Sequence, residues 1–150
     1  MKAEKRAVNW TKVAIFANGT LLQSREKTMK HNSTILYVDD EADNLLAFKV
    51  LFRRKYNVVT TAEASEVLKL LQQHQIDLII SDYRMPAMTG VELLHKVAEV
   101  HPTIARFIVT GFEELEQLTD ALKKGTINKV INKPWEVEEL NALFSKYLGE

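Results

Sequence analysis

The chain has 150 residues, of which 46% are hydrophobic and 27% are charged, values typical of one globular domain with a single core. Twenty basic residues balance twenty acidic residues, so the overall charge does not indicate nucleic acid or an anionic membrane as a partner. The sequence contains no cysteine, which excludes disulfides, thiolate nucleophiles and cysteine-based metal sites. Because no apolar run reaches the roughly 20 residues of a membrane-spanning helix, we expect a cytoplasmic protein.

Residues 1–28 form a basic N-terminal extension, with six basic and two acidic residues and hence a net charge of +4. Asn18-Gly19 lies between apolar residues and favours a tight turn, so Val13–Leu22 could pair as a hairpin. We favour a mobile extension without a function of its own, because an isolated hairpin is marginal in water. Residues 29–150 are then the folded domain, and Met29 is an alternative start of the chain.

From Thr34 onward, short apolar runs alternate with amphipathic segments, a pattern typical of βα units around a parallel sheet. Most of the apolar runs are nearly continuous in Ile, Leu and Val, as expected of strands covered on both faces. The sequence therefore predicts an α/β domain with five strands: Thr34–Val38, Asn57–Thr61, Ile76–Ser81, Ile104–Val109 and Lys129–Asn132.

The segments between and after these strands predict five helices, four of which carry apolar residues at helical spacing. Such stripes usually face the sheet, and we assign them no role in ligand binding. Their members are Leu45, Phe48, Leu51 and Phe52 in the first helix; Val67, Leu68 and Leu71 in the second; Val91, Leu94 and Val97 in the third; and Leu140, Leu143, Phe144 and Tyr147 in the last.

The carboxyl ends of the strands are where ligands bind in an open parallel sheet. These ends carry Asp39-Asp40-Glu41, Asp82, Thr110-Gly111 and Lys133-Pro134. Three aspartates at one site repel one another unless a cation neutralises them, and their oxygen atoms suit Mg²⁺, with Mn²⁺ as a substitute. An Asp-Asp pair alone is equally compatible with a turn or a helix N-cap, but Asp82 and Lys133 favour the metal site.

An aspartate in such a site can attack phosphorus and form an acyl phosphate. Charge on the transferred group must then be stabilised by a cation and by hydrogen-bond donors. Lys133 can supply the cation, while the Thr110 hydroxyl and backbone N–H groups near Tyr83 and Gly111 can act as donors. A cis Lys133–Pro134 bond would aim the lysine inward. We therefore predict Asp82, Thr110 and Lys133 as the catalytic residues.

Together these motifs resemble the receiver domains of two-component response regulators. Asp39-Asp40-Glu41 is similar to the family's acidic pair after strand one, and Asp-Tyr-Arg-Met-Pro-Ala-Met-Thr-Gly at residues 82–90 is similar to its phosphorylation loop. Thr110 and Lys133-Pro134 follow in the expected order, so the resemblance covers Thr34 to Leu148. It implies a flavodoxin-like, doubly wound sheet of five parallel strands in the order 2-1-3-4-5.

The resemblance also implies a role for each residue of the site. Asp82 is then the phosphoacceptor, Asp40 a direct Mg²⁺ ligand and Asp39 a ligand through water. The backbone carbonyl of Arg84 completes the metal shell. Thr110 is the switch hydroxyl that moves to meet the phosphoryl oxygens, and Lys133 pairs with those oxygens.

Two positions near the lysine carry further information. Many receivers have Tyr or Phe three residues before the lysine, where this chain has Val130, and this puts an aromatic switch in doubt. Trp135 is similar to receivers attached to HD-GYP phosphodiesterases and to some hydrogenase regulators. We expect Trp135 to cap the last helix against the sheet rather than to contact a partner.

The resulting hypothesis is a signalling switch that catalyses only its own phosphorylation and dephosphorylation. A sensor histidine kinase or a phosphotransfer protein donates the phosphoryl group, and the modified state changes partner binding through the face formed by the fifth strand. Because no output domain follows Glu150, we expect a separate effector protein, a homodimer or a relay, without direct binding of nucleic acid or membrane.

Two other functional classes compete with this hypothesis. A phosphorylation-independent interaction module with the receiver fold is favoured by Val130, although uncompensated carboxylates are costly to retain without metal. A carboxylate-based phosphatase acting on small molecules ranks last, because Arg84 stands two residues after Asp82, where that chemistry needs a second acid.

Overall fold

The computed structural model describes residues 13–15, 21–23, 32–111 and 115–149, and the chain divides into two compact units, Met1–His31 and Asn32–Glu150. In the first unit, β1 (Val13–Ile15) and β2 (Leu21–Gln23) pair antiparallel, with Ala14 opposite Leu22. This is the pairing that a hairpin requires. The Asn18-Gly19 turn and Met29 lie outside the described residues, and the role of residues 1–28 stays a prediction.

The second unit is built on a five-stranded sheet in which every pair of neighbours is parallel. The strands are β3 (Thr34–Val38), β4 (Asn57–Thr61), β5 (Leu78–Asp82), β6 (Ala105–Thr110) and β7 (Lys129–Asn132). Their order in the sheet is β4-β3-β5-β6-β7, which is 2-1-3-4-5 when the strands of this unit are counted alone. The predicted doubly wound α/β fold is therefore confirmed.

Two strand boundaries differ from the prediction. Strands β5 and β6 begin two residues and one residue later than Ile76 and Ile104, and they extend to include Asp82 and Thr110. Ladder hydrogen bonding continues to the end of β5, because the N–H of Tyr83 donates to the carbonyl of Val109 (3.0 Å). The carboxylate of Asp82 and the hydroxyl of Thr110 are thus carried by the sheet itself rather than by loops.

Among the described residues, five α-helices connect or follow the strands of this sheet, and local sequence explains several of their ends. Thr89 caps the third helix in a capping box with Glu92, and Gly149 ends the last helix with a left-handed φ of 70°. No described helix is both long enough and apolar enough to cross a bilayer. The helices are α1 (Ala42–Phe52), α2 (Val67–Gln73, after a 3-10 turn at Ala64–Glu66), α3 (Gly90–Val100), α4 (Leu115–Lys123) and α5 (Val137–Leu148).

Alternate residues of the sheet face two separate apolar layers. Along β3, Ile35 and Tyr37 pack with residues of α1 and α5, whereas Leu36 and Val38 pack with residues of α2, α3 and α4. The sheet is therefore covered on both faces. This arrangement leaves the carboxyl edge of the strands as the place where side chains from different segments can meet.

Two residues of the predicted helix stripes are exposed, so the prediction is wrong for them. Leu51 of α1 is 48% exposed and Leu68 of α2 is 38% exposed. Helix α1 is apolar around most of its circumference, so its sequence could not fix which residues face the sheet; Phe48 and Phe52 do. In α2, Val67 and Leu71 are one turn apart and take the buried positions, which turns Leu68 outward.

Candidate functional site

The three predicted aspartates meet at the carboxyl edge of the sheet. One carboxylate oxygen from each of Asp39, Asp40 and Asp82 lies within 4.8 Å of the others. The register explains the meeting, because Val38 of β3 is paired with Ser81 of β5. The next residues, Asp39 and Asp82, therefore leave two neighbouring strands side by side.

Asp82 forms the centre of the site. Its Oδ1 accepts hydrogen bonds from Lys133 Nζ (3.0 Å) and from the backbone N–H of Tyr83 (3.1 Å). Burial raises the pKa of the Asp82 carboxyl above its usual range, the hydrogen bond and charge of Lys133 act in the opposite direction, and the nearby charge of Asp39 raises it further. The carboxylate of Asp82 is thus partly desolvated, and the ammonium group of Lys133 stabilises its charge.

Lys133 reaches Asp82 from the end of β7, 51 residues further along the chain. Its backbone N–H donates to the carbonyl of Thr110 (2.8 Å), which holds the start of the β7–α5 connection against β6. The Lys133–Pro134 peptide bond is cis. The Lys133 side chain is 38% exposed, so it is partly open to solvent.

Thr110 ends β6 and is 3% exposed. Its strand lies beside β5, where Asp82 is paired with Val109. The N–H of Tyr83, predicted as a donor toward the transferred group, is shared between the carbonyl of Val109 (3.0 Å) and Asp82 Oδ1 (3.1 Å). This N–H therefore helps to orient the carboxylate of Asp82.

Asp39 is fully buried and is held by three donors. Its Oδ2 accepts from the hydroxyl of Tyr37 (2.9 Å) and from Asn44 Nδ2 (3.1 Å), while its Oδ1 accepts from the N–H of Glu41 (2.9 Å). The sequence analysis missed both Tyr37 and Asn44. A signal was present for Tyr37, because a hydroxyl two residues before Asp39 in an apolar strand lies on the same face.

Gly90, the first residue of α3, allows the connection between β5 and α3 to pack closely on β5. A Cβ atom at this position would overlap the carbonyl oxygen of Asp82 and lie 2.8 Å from Ile108 Cδ1. The backbone N–H of Gly90 donates to the carbonyl of Tyr83 (2.8 Å). The absence of a side chain at Gly90 thus allows α3 to approach the backbone of Asp82, a role that the motif alone did not reveal.

The donor set fits a hard divalent cation. Mg²⁺ binds oxygen at about 2.1 Å in octahedral geometry, so two ligand atoms on opposite sides of one ion lie about 4.2 Å apart. Carboxylate oxygens within 4.8 Å of one another therefore suit an ion that binds some of them directly and others through water. Asp40 is exposed and Asp39 is buried, which leaves Asp40 the more accessible of the pair.

Other predicted residues lie around this centre. Arg84 is exposed in the loop after β5. The role of its backbone carbonyl as a metal ligand stays a prediction. Val130 is half-buried and packs on the α2–α3–α4 side of the sheet. Trp135 packs on α1, with ring centroids 6.3 Å from Phe48 and 6.0 Å from Phe52. A cleft of about 450 Å³ lies beside the site, between α1 and the Lys133–Trp135 segment.

Fold and site together define a doubly wound α/β domain. Three aspartates cluster at the carboxyl edge of its sheet, and a lysine forms a salt bridge with one of them. The family model of the response regulator receiver domain matches residues 35–145, and the chain belongs to this family. The resemblance inferred from the motifs is therefore confirmed.

Two curated relatives match most of this chain. The chain is 34% identical over 112 residues to the hydrogenase transcriptional regulatory protein HoxA of Bradyrhizobium diazoefficiens, and the match covers 75% of this chain but 23% of HoxA. It is 25% identical over 118 residues to sporulation initiation phosphotransferase F of Bacillus subtilis, covering 78% of this chain and 94% of that protein. The chain thus spans less than a quarter of HoxA and most of the phosphotransferase.

Solved structures agree in fold. The signal receiver domain of an HD domain-containing protein from Pseudomonas fluorescens Pf-5 has a TM-score of 0.74 and 28% identity, with 81% of this chain and 90% of that chain covered. A CheY-like response regulator receiver domain protein from Methanospirillum hungatei JF-1 has a TM-score of 0.73 and 28% identity, with coverage of 79% and 94%.

Proposed function

We propose that this chain is a phosphorylatable switch in which Asp82 accepts a phosphoryl group from the phosphohistidine of a sensor histidine kinase or a phosphotransfer protein. One observation carries the proposal: the largely buried carboxylate of Asp82 forms a salt bridge with Lys133 at 3.0 Å and lies beside two further aspartates. This set offers a nucleophile, a cation for the transferred group and oxygen ligands for a divalent ion. Membership in the receiver family supports the same role.

In the proposed reaction, a carboxylate oxygen of Asp82 forms a bond to phosphorus while the bond between phosphorus and the donor's imidazole nitrogen breaks. The electron pair of that bond stays on the imidazole, which leaves as a neutral ring because its other nitrogen holds a proton. Lys133 pairs with the phosphoryl oxygens, and the Thr110 hydroxyl donates to them. Hydrolysis of the acyl phosphate later returns Asp82 to its free form.

Mg²⁺, or Mn²⁺ in its place, would add positive charge against the oxygens of the transferred group when bound. Asp40 and Asp82 would hold the ion directly, Asp39 through water, and the carbonyl of Arg84 would complete the set. The three donors to Asp39 support a water-mediated role for this residue, because they occupy most of the acceptor sites of its carboxylate.

We propose that the signal leaves through the face formed by β7 and its flanking helices α4 and α5. Lys133 follows β7 directly and contacts both Asp82 and the backbone of Thr110, so a change at Asp82 is mechanically linked to this strand. The protein that binds this face is a separate effector, and a second copy of the chain is the alternative partner. We place the reaction in the cytoplasm, where histidine kinases obtain ATP.

Incubation with a small phosphoramidate donor and Mg²⁺, followed by intact-mass measurement, tests the central step. We expect one acid-stable, hydroxylamine-labile phosphoryl adduct on the wild type and none on Asp82→Asn. Asp77→Asn is the matched control, because Asp77 precedes β5 at the opposite end of the same strand. An unlabelled wild type, or equal labelling of wild type and Asp82→Asn, would refute the proposal.

A phosphorylation-independent interaction module remains the second candidate, and Val130 favours it because the aromatic side chain of many receivers is missing at this position. The two functions differ in one measurement. The measurement is the affinity for an effector with and without beryllofluoride, a mimic of the phosphoryl group. An equal affinity in both conditions would support the constitutive module and contradict the switch.

A further inference from the structure

Tyr37 brings a hydroxyl group into the apolar layer between the sheet and helices α1 and α5. Its side chain is 2% exposed, and the hydroxyl donates to Asp39 Oδ2 at 2.9 Å. A buried hydroxyl costs free energy unless it finds a partner, and here the partner is one of the three aspartates of the acidic cluster. The contact therefore ties the core of the domain to the candidate metal site.

The donors to Asp39 leave this carboxylate little freedom. A carboxylate has about four acceptor sites, two on each oxygen. Tyr37 and Asn44 take those of Oδ2, and the N–H of Glu41 takes one on Oδ1. Counting the donors from the described part of the chain, about one acceptor site remains, and it lies on Oδ1. One hydrogen bond from a metal-bound water would fill it.

The ring of Tyr37 is itself fixed. Its centroid lies 4.4 Å from that of Phe48 in α1, and Tyr37 belongs to the apolar layer that includes Phe52 and Phe144. The hydroxyl cannot follow the carboxylate to a different orientation without disturbing this packing. Asn44, by contrast, is only partly buried and shares its amide with the carboxylate of Glu41 (3.2 Å). Tyr37 is therefore the rigid donor and Asn44 the adaptable one.

We propose that Tyr37 is a positioning residue of the receiver site: its hydroxyl fixes the Asp39 carboxylate so that Oδ1 accepts a hydrogen bond from a Mg²⁺-bound water. This inference rests on the proposed phosphoryl-accepting function and adds a residue to it. Partners that orient metal ligands typically change metal affinity about 10-fold or more when removed. The effect of Tyr37 should thus fall on Mg²⁺ affinity rather than on the chemistry at Asp82.

The test compares Tyr37→Phe with Tyr56→Phe in the full chain. Tyr56 is also buried, lies in the same aromatic layer, and its hydroxyl has no hydrogen-bond partner among the described residues. Both substitutions remove one buried oxygen, but only the first removes a contact with Asp39. Mg²⁺ affinity is measured by calorimetry, and the rate of phosphorylation by phosphoramidate is measured as a function of Mg²⁺ concentration.

We expect Tyr37→Phe to weaken Mg²⁺ binding about 10-fold and to shift the Mg²⁺ dependence of the rate by the same factor. At saturating Mg²⁺ the rate should stay within about twofold of the wild type, because the nucleophile is unchanged. Tyr56→Phe should leave both curves in place. Equal Mg²⁺ affinity in wild type and Tyr37→Phe, or equal weakening in both variants, would overturn the positioning role.

A second pair of variants keeps the test decisive if Tyr37→Phe also lowers stability. Because the hydroxyl acts through Asp39, adding Tyr37→Phe to Asp39→Asn should not weaken Mg²⁺ binding further. Additive losses would contradict the inference while leaving the proposed function intact. A wild type that binds no Mg²⁺ and accepts no phosphoryl group would instead remove the proposed function, and this inference with it.

Discussion

Lys133 Nζ lies 3.0 Å from Oδ1 of Asp82, although 51 residues separate the two in the chain. The contact joins the ends of β7 and β5, which are not neighbours in the sheet because β6 lies between them. The long lysine side chain therefore reaches across the end of β6, where Thr110 lies. This one contact brings together the three residues predicted to carry the chemistry.

The raised pKa of Asp82 predicts how stability depends on pH. Between the usual pKa of an aspartate and the raised value, the folded protein binds more protons than the unfolded chain, so stability falls as pH rises through this window. Above the raised pKa the full penalty of the ionised, buried carboxylate is present. We therefore expect metal-free Asp82→Asn to be more stable than metal-free wild type at pH 7, with the difference lost below pH 3.8.

Urea unfolding with a chelator present measures this difference. Addition of Mg²⁺ serves as the internal control, because the ion should stabilise the wild type and have little effect on Asp82→Asn. A metal-free Asp82→Asn protein that is less stable than the wild type at pH 7 would show that Lys133 outweighs burial at this carboxyl.

Mg²⁺ affinity should also depend on pH, since the metal competes with the proton for Asp82. We expect the affinity to fall as pH decreases through the raised pKa of Asp82. Lys133→Met should move this fall to higher pH, because it removes the contact that lowers this pKa. Calorimetry at several pH values checks both expectations; a fall at the same pH in both proteins would contradict the second.

Gly90→Ala should damage both stability and phosphorylation. The new methyl group would overlap the carbonyl oxygen of Asp82 and press on Ile108, so the backbone that carries the phosphoacceptor must shift. Overpacking of this kind costs about 1–3 kcal/mol. Gly111→Ala is the control for stability, because a Cβ there has no atom of the described residues within 4 Å. Urea unfolding of both variants compares the two positions, and equal losses would show that the close approach at Gly90 is unimportant.

Arg106 should be needed for stability although it lies outside the site. It is 5% exposed, and its guanidinium donates to four backbone carbonyls, those of Pro102, Ile104, Gly125 and Thr126. Burial lowers the pKa of this guanidinium. The residue therefore joins the loop before β6 to the turn after α4.

Arg106→Met would leave those carbonyls without their donors, and we expect a loss of about 3 kcal/mol in the free energy of unfolding. Arg53→Met, on an exposed residue that follows α1, should change stability by less than about 0.5 kcal/mol. Denaturant titration of the two variants gives the comparison. If both substitutions change the free energy of unfolding by a similarly small amount, water replaces the guanidinium of Arg106 without loss of stability, and the prediction is wrong.

The outer face of α1 should take part in recognition of the protein that donates the phosphoryl group. Leu46, Val50 and Leu51 are 64%, 51% and 48% exposed, and the helix starts directly after the acidic segment. A protein that delivers phosphohistidine to Asp82 must cover the surface around the site, and an apolar patch there favours protein contact. We expect Leu46→Glu to slow transfer from the cognate kinase about 10-fold or more, without slowing transfer from phosphoramidate.

Leu68→Glu provides the matched control, since Leu68 is an exposed leucine on α2, which packs on the opposite face of the sheet. It should leave both reactions unchanged. If Leu46→Glu slows the small donor as much as the kinase, the residue supports the fold of the site and the docking role is wrong.

Much of the site was predictable from the sequence because its chemistry follows from residue type and strand position. Apolar runs mark the strands, and parallel strands end at one edge, so Asp39, Asp82 and Thr110 could be assigned to one place. The family model matches residues 35–145, a range that includes all of these positions. Lys133 was assigned in the same way, from its position after the last strand.

Other features required the tertiary structure. Tyr37 contacts Asp39 only because the strand face and the packing of Phe48 aim its hydroxyl, and the importance of Gly90 depends on how closely α3 approaches β5. The burial of Arg106 and the exposure of Leu51 depend on how distant segments pack on the sheet. The sequence by itself determined the strands and the reactive groups, since these are local properties. Tertiary packing decided helix rotation and side-chain partners, which depend on residues far apart in the chain.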